Sequence, residues 1–147
     1  MSFNWRLYFE LAKELSHRPE ESARRTAVSR AYYSAFHAAS ESLKKNNVRV
    51  NPSLQRNTHK RVWNVYADST FKNCRRIGNR GHRLKLDRVA ADYDAGSAFT
   101  DLRVQKCIEA AASIITEIPA NIPESFSGER TGPFARAVLS IKGILRI

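Results

Sequence analysis

The sequence contains no apolar run near the roughly 18 residues that a membrane-spanning helix requires, and its opening, Met1-Ser2-Phe3-Asn4-Trp5-Arg6, has neither the charged start nor the apolar stretch of a secretory signal. A cytoplasmic protein without a membrane partner is therefore expected. Cysteine is scarce. Cys74 and Cys107 form no metal-type cluster and read as reduced thiols, with Cys107 in the core. The four histidines do not pair with Cys, His or a carboxylate at ligand spacing, so no metal site is expected. Gly78 and Gly81 are not followed by Lys-Ser/Thr, so no glycine-rich phosphate cradle exists, and no Ser/His/Asp or Cys/His arrangement stands out. No cofactor is expected. No segment alternates with period two for long enough to argue a strand, and repeats and low-complexity tracts are absent.

Acidic residues are also in short supply, 14 against 25 Lys and Arg, for a net charge of +11. Their distribution is more informative than the total. Lys44–Arg88 holds thirteen basic side chains and two acids, Asp68 and Asp87, while the rest of the chain is balanced. An excess confined to one segment sets up a local positive field that attracts polyanions. A solvated, soluble surface is the ordinary alternative for such a run. A membrane surface fits less well, because the basic run contains no long amphipathic helix.

What is present is helical periodicity. Trp5, Tyr8, Leu11, Ala12 and Leu15 predict a first amphipathic helix ending near Ser16. Pro19, Glu20 and Glu21 suit the opening of a second, which Val28, Tyr32, Ala35, Ala39 and Leu43 carry from about 20 to 45. Residues 46–57 read as a loop, after which Thr58 is placed to cap a short third helix burying Val62, Trp63 and Tyr66. Residues 68–83 read as irregular, punctuated by Gly78 and Gly81. A fourth helix is expected to bury Leu84, Leu86, Val89, Ala90 and Tyr93 and to stop at Gly96. The fifth starts at Ser97 or Thr100, buries Val104, Ile108, Ala111 and Ile115, and ends at Pro119. The expected fold is all-α, a bundle of four to five helices over 1–118, followed by a linker and C-terminal amphipathic segment over 119–147. In that segment Phe134, Val138, Ile141 and Leu145 repeat at helical spacing, to fold back on the core or to dock a second chain.

The run Arg25-Thr26-Ala27-Val28-Ser29-Arg30-Ala31-Tyr32-Tyr33-Ser34-Ala35-Phe36-His37-Ala38-Ala39 resembles the most recognisable helix of the HEPN (higher eukaryotes and prokaryotes nucleotide-binding) superfamily. His59-Lys60-Arg61-Val62 and Leu84-Lys85-Leu86-Asp87-Arg88-Val89-Ala90-Ala91-Asp92-Tyr93-Asp94 resemble two further helices of that group, in the expected order. The resemblance covers residues 22–118. It implies a HEPN-like bundle, usually a twofold homodimer. In many members it also implies metal-independent ribonuclease activity, among them toxins and phage-defence effectors. The family's signature is an arginine followed by four to six residues and a histidine. Physically, a histidine moves the proton of a ribose 2′-hydroxyl, and an arginine stabilises charge on the phosphate.

Three pairs match that spacing, Arg30 with His37, Arg75 with His82 and Arg76 with His82, and seventeen arginines make chance matches easy. Topologically the family's arginine corresponds to Arg88, and the position of its histidine falls close to Asp92. A carboxylate there accepts a proton but seldom donates one near neutrality, and Arg88 with Asp92 also makes an ordinary i,i+4 ion pair. The candidate catalytic set is therefore Arg88, Asp92, His82 and Arg76. His82 is expected to stay neutral beside Arg76, Arg80 and Arg83. Lys60, Arg61, Lys72, Arg75, Arg80, Arg83 and Lys85 are the expected RNA-binding residues, with Arg30, Tyr33, His59 and Tyr93 in support; Tyr93 reads more simply as core. His37 is expected to be a satisfied interior histidine.

Two functions follow: a metal-independent endoribonuclease toxin or defence effector acting as a homodimer, or a non-catalytic nucleotide- or RNA-binding subunit. The second would partner a nucleotidyltransferase antitoxin or a defence complex. A dimer partner whose basic surface faces an acidic protein is a third reading.

Overall fold

Five alanines at four-residue spacing, Ala23, Ala27, Ala31, Ala35 and Ala39, form a ridge along one helix, and all five are buried. A ridge of methyl groups lets neighbouring helices approach closely. In a computed structural model that describes residues 2–50, 58–122, 126 and 129–130, this helix, α2 (Glu21–Lys45), is the axis of an all-α bundle. Its 25 residues span about 37 Å. It touches α1 (Arg6–Ser16), α3 (Thr58–Ala67), α4 (Lys72–Tyr93) and α5 (Asp101–Glu117). Among the described residues no helix is long and apolar enough to cross a membrane.

The expected bounds of α2 and α5 match the structure. Thr100 caps α5 by accepting from the Arg103 N–H, and Pro119 follows its end. Ile114 rather than Ile115 is fully buried there. Thr58 is the first residue of α3 rather than its cap, and residue 57 lies outside the described residues. After α2 the chain turns at Asn47, whose φ of 56° is the left-handed conformation in which asparagine often ends helices. A two-residue strand β1 (Val48–Arg49) then pairs antiparallel with β2 (Glu129–Arg130), a short ladder that the periodicity did not suggest. The described residues that follow α5 stay on the bundle. Ser42 and Asn46 donate to the carbonyls of Pro119 and Ala120, and Ile122 and Phe126 are buried. The amphipathic segment expected over residues 134–146 lies outside the described residues.

The largest correction concerns residues 68–83. Helix α4 begins at Lys72 and runs through both glycines, making 22 continuous helical residues. The glycines are points of contact. A Cβ on Gly78 would overlap the backbone of Ala67 and the carbonyl of Trp63, and one on Gly81 would overlap the Trp63 indole. The buried face of α4 is set by Cys74, Ile77, Gly78, Gly81, Leu84, Arg88 and Ala91. Leu86, Val89 and Tyr93 consequently point outward at 71%, 38% and 78% exposure, so their expected place in the core is wrong. On α1, Leu11 is likewise exposed, while Ala12 and Ser16 are buried.

The loop between α4 and α5 is held by two arginines. Arg25 Nη1 donates to the carbonyls of Ala90, Ala91 and Asp94, and its Nη2 donates to that of Ser97. Arg103 bonds Asp87 Oδ1 at 2.8 Å, the Ser97 hydroxyl and the Ala98 carbonyl. The Phe99 ring lies within 5.0 Å of the Arg25 guanidinium and 4.1 Å of that of Arg103. Both cysteines are free and buried, and burial, with Asp87 nearby, pushes the Cys107 thiol up to about 12. Such a thiol is unreactive near neutrality.

Candidate functional site

Because α4 is continuous, side chains adjacent in sequence diverge by about 100° around it. Arg80 faces α5, where it bonds Glu117 Oε2 at 2.7 Å and the Ser113 hydroxyl. Lys72, Arg76 and Arg83 are exposed on the outward arc. Arg75 donates to the carbonyls of Ser69 and Thr70 and so closes the turn that precedes α4. His82 and Lys85 lie on the opposite side of α4, toward α3, within electrostatic reach of Lys60. Arg61 is half-buried on α3. The expected single basic patch is therefore divided between two faces.

The α3 side gathers the residues with chemistry. Arg88 is 8% exposed, and its guanidinium lies 5.3 Å from the Tyr32 ring centroid and 5.5 Å from that of Tyr33. Its Nη1 is 3.7 Å from Asp92 Oδ2, a long i,i+4 ion pair, and its Nε is buried without a hydrogen-bond partner among the described residues. The Asp92 carboxylate also accepts from the Ser29 hydroxyl at 3.4 Å. Tyr33 borders Arg88 directly, whereas Arg30 donates to the Ser29 hydroxyl and lies over the Tyr33 ring.

His59 is joined to Arg88 by Tyr32. The Trp63 indole N–H donates to the Tyr32 oxygen at 3.1 Å, and that oxygen is 2.9 Å from His59 Nδ1. Tyr32 is wholly buried, so its own hydrogen needs an acceptor, and among the described residues His59 Nδ1 is the one within reach. This fixes the neutral imidazole with its proton on Nε2. Burial lowers the His59 pKa to about 4, and Arg88, Lys85 and His37 act in the same direction. Burial pushes Tyr32 up to about 12, so it stays protonated. His59 stacks on Phe36 at 4.1 Å. Its contacts thus reach across to α2 rather than staying local to the helix start.

His82 is also held below its ordinary value, as expected, but for a different reason. Burial comes first, then Lys85 and Lys60, with Asp68 opposing; Arg76, Arg80 and Arg83 point elsewhere on the helix. Lys85 is depressed by burial and then by Arg88 and Lys60. Partly buried basic groups that also lie near other cations form a site that an anion relieves. Tyr93, by contrast, stands in solvent at the rim of a shallow cleft of about 410 Å³ shared with Asp92, Glu21 and Arg25. Its carboxylates, and an arginine already bonded to carbonyls, make that cleft a poor place for a polyanion. Among the described residues no group of His, Cys, Asp or Glu is placed to hold a metal ion.

Three residues at this site were not singled out for function from the sequence: Trp5, Tyr8 and Phe36. Trp5 and Tyr8 approach the α2 face only through packing, of which spacing along α1 gives no sign, and Phe36, on α2 itself, joins the site through its stack with His59. His37 is half-buried against Trp5 rather than interior.

The depressed histidines carry a stability consequence. Between the ordinary histidine value of 6.5 and about 4, the unfolded chain takes up a proton that folded His59 refuses. Stability is therefore complete above 6.5 and falls as the pH drops toward 4, and His37 and His82 act in the same sense. The His59 share is about 2 kcal/mol after allowing for its partial exposure. Urea midpoints should fall steeply from pH 7 to pH 4.5, and His59→Asn, which keeps an acceptor for Tyr32, should flatten the slope. An unchanged slope in that variant would remove His59 from this role.

No family model, no curated protein and no solved structure matches this chain.

Proposed function

We propose that this chain is an RNA-binding protein of HEPN type, with the Lys60–His82–Lys85–Arg88 face as its phosphate-binding site. The observation that supports this reading is the gathering of His59, Lys60, His82 and Lys85 on one side of α3 and α4, where burial first, and neighbouring cations second, hold His59, His82 and Lys85 below their ordinary values. Binding fits this geometry better than cleavage does. Arg88 is largely sequestered by Tyr32, Tyr33 and Asp92, and the basic nitrogen of neutral His59 is taken by Tyr32. In this reading His59 offers a phosphate its Nε2–H, and a nucleotidyltransferase antitoxin or a defence complex is the class of partner.

A metal-independent endoribonuclease homodimer is the second reading, and one feature favours it. Leu86, Val89 and Tyr93 form an exposed stripe on α4 beside Arg88 and Asp92, so pairing two copies through this stripe would bring two such sites together. His82 would then be the candidate base.

RNA affinity measured against salt tests the first reading. Log K should fall linearly with log salt, and Lys85→Ala should reduce the slope by about 0.7, the contribution of one single-strand phosphate contact. Affinity indifferent to salt would end the phosphate-site reading. Cleavage in EDTA to cyclic-phosphate ends, lost in Arg88→Ala and His82→Ala, would replace it with the nuclease.

A further inference from the structure

Aromatic rings, an imidazole and a guanidinium line the face shared by α1 and α2. Trp5 stacks on His37, with centroids 3.5 Å apart and planes at 9°. Phe3 sits edge-on to Trp5 at 5.0 Å and 5.3 Å from Tyr8. The Arg30 guanidinium lies 4.7 Å from the Tyr8 centroid and 5.2 Å from that of Tyr33. Tyr33 in turn borders Arg88 at 5.5 Å and His59 at 5.8 Å. The core has its own aromatic set in Tyr32, Trp63 and Tyr66, all wholly buried. Trp5, Tyr8, Arg30, Tyr33 and His37 are half-buried, and Phe3 is exposed, so this set, unlike the core one, is part of the surface. Arg30, Tyr33 and His37 sit at i, i+3 and i+7 on one face of α2, a span of about 10 Å, close to three stacked bases at 3.4 Å each.

We propose that this α1–α2 face is a stacking platform for two or three unpaired bases of single-stranded RNA. The proposal rests on the phosphate-binding reading above and extends it. Tyr33 is the join, because it belongs to the ladder and borders the Arg88–His59 group, so bases lie on the ladder while the strand's phosphates meet the Lys60–Lys85 side. The chemistry suits nucleobases better than an apolar peptide. A base offers a π-face to a tyrosine or tryptophan ring, a guanidinium plane and an imidazole alike, whereas the interleaved charge of Arg30, with Glu41 and Lys44 near His37, interrupts any apolar groove. Stacking of this kind tolerates sequence, so the platform selects single strands over duplex rather than one base over another.

Trp5 provides the readout, because the other tryptophan, Trp63, is wholly buried and bonded to Tyr32. The full chain is titrated with a 12-mer of adenylate and with an abasic 12-mer of the same charge. The expected result is quenching of Trp5 by the adenylate strand and an affinity for it about tenfold above that for the abasic strand. Tyr8→Ala, on the ladder and without contact to the Lys60–Lys85 side, should shrink that difference while leaving abasic binding unchanged. Equal affinity of wild type for both strands overturns the platform and leaves phosphate binding standing. No binding of either strand overturns both readings, and self-association without an oligonucleotide response assigns the face to a second copy and overturns the platform alone. The wild-type comparison needs no variant to fold.

Discussion

Replacing Gly78 by alanine should lower the stability of the bundle by about 3 kcal/mol, at the upper end of overpacking costs. In an isolated helix the same change is favourable by up to about 1 kcal/mol, since glycine is a poor helix former. The sign reverses here because the new methyl group meets the backbone nitrogen and Cα of Ala67 and the carbonyl of Trp63, and backbone cannot swing aside as a side chain can. Relief requires α3 to move off α4, which loosens Val62, Trp63 and Tyr66 together. Gly81→Ala meets the Trp63 indole and strains the bond from its N–H to Tyr32, so it should also disturb His59. Denaturant midpoints decide the matter. A Gly78→Ala variant more stable than wild type would mean that the α3–α4 contact is looser than described here.

Arg25→Ala should cost about 3 kcal/mol as well, counting hydrogen bonds from a charged donor at 1.5–3 kcal/mol each and discounting heavily for their lack of additivity. The two Nη1 hydrogens are shared among three carbonyls at the end of α4, which otherwise has unsatisfied acceptors and the negative end of the helix dipole. Arg25→Lys should recover less than half. A single ammonium can sit near the carbonyls of Ala90 and Ala91 but cannot also reach that of Ser97 and lie over Phe99. Amide exchange over residues 90–100 should accelerate in both variants. Protection unchanged in Arg25→Ala would show that Arg103 holds the loop alone.

Helices α2 and α5 were legible because nothing interrupts their apolar spacing and each has clear end signals, Asn46–Asn47 for one and Thr100 and Pro119 for the other. The first half of α4 was not, because glycine in a basic stretch looks like a turn. The signal lay in Cys74, Ile77, Gly78, Gly81 and Leu84, whose spacings of three, one, three and three continue into Arg88 and Ala91 as one helical face. Read that way, the glycines are the small members of a buried stripe. Misreading the helix start also misplaced the outward residues Leu86, Val89 and Tyr93, and merged basic side chains that the helix separates. At the candidate site, the nearness of Arg88 to Asp92 followed from their spacing alone, whereas the place of Tyr33 against Arg88 depends on α2 lying beside α4. The tie from His59 through Tyr32 to Trp63 joins side chains 27 and 31 residues apart, and no local pattern encodes it.

The missing side chains at positions 78 and 81 bear on recognition as well as on folding. Where two helices touch through main-chain atoms, neither can slide without breaking van der Waals contact along its length. Lys60 on one rod and Lys85 on the other are therefore mounted at a fixed gauge, and a ligand bridging them meets charges whose spacing is already set. Little ordering entropy is then lost on association, which lets even a short oligoanion be gripped.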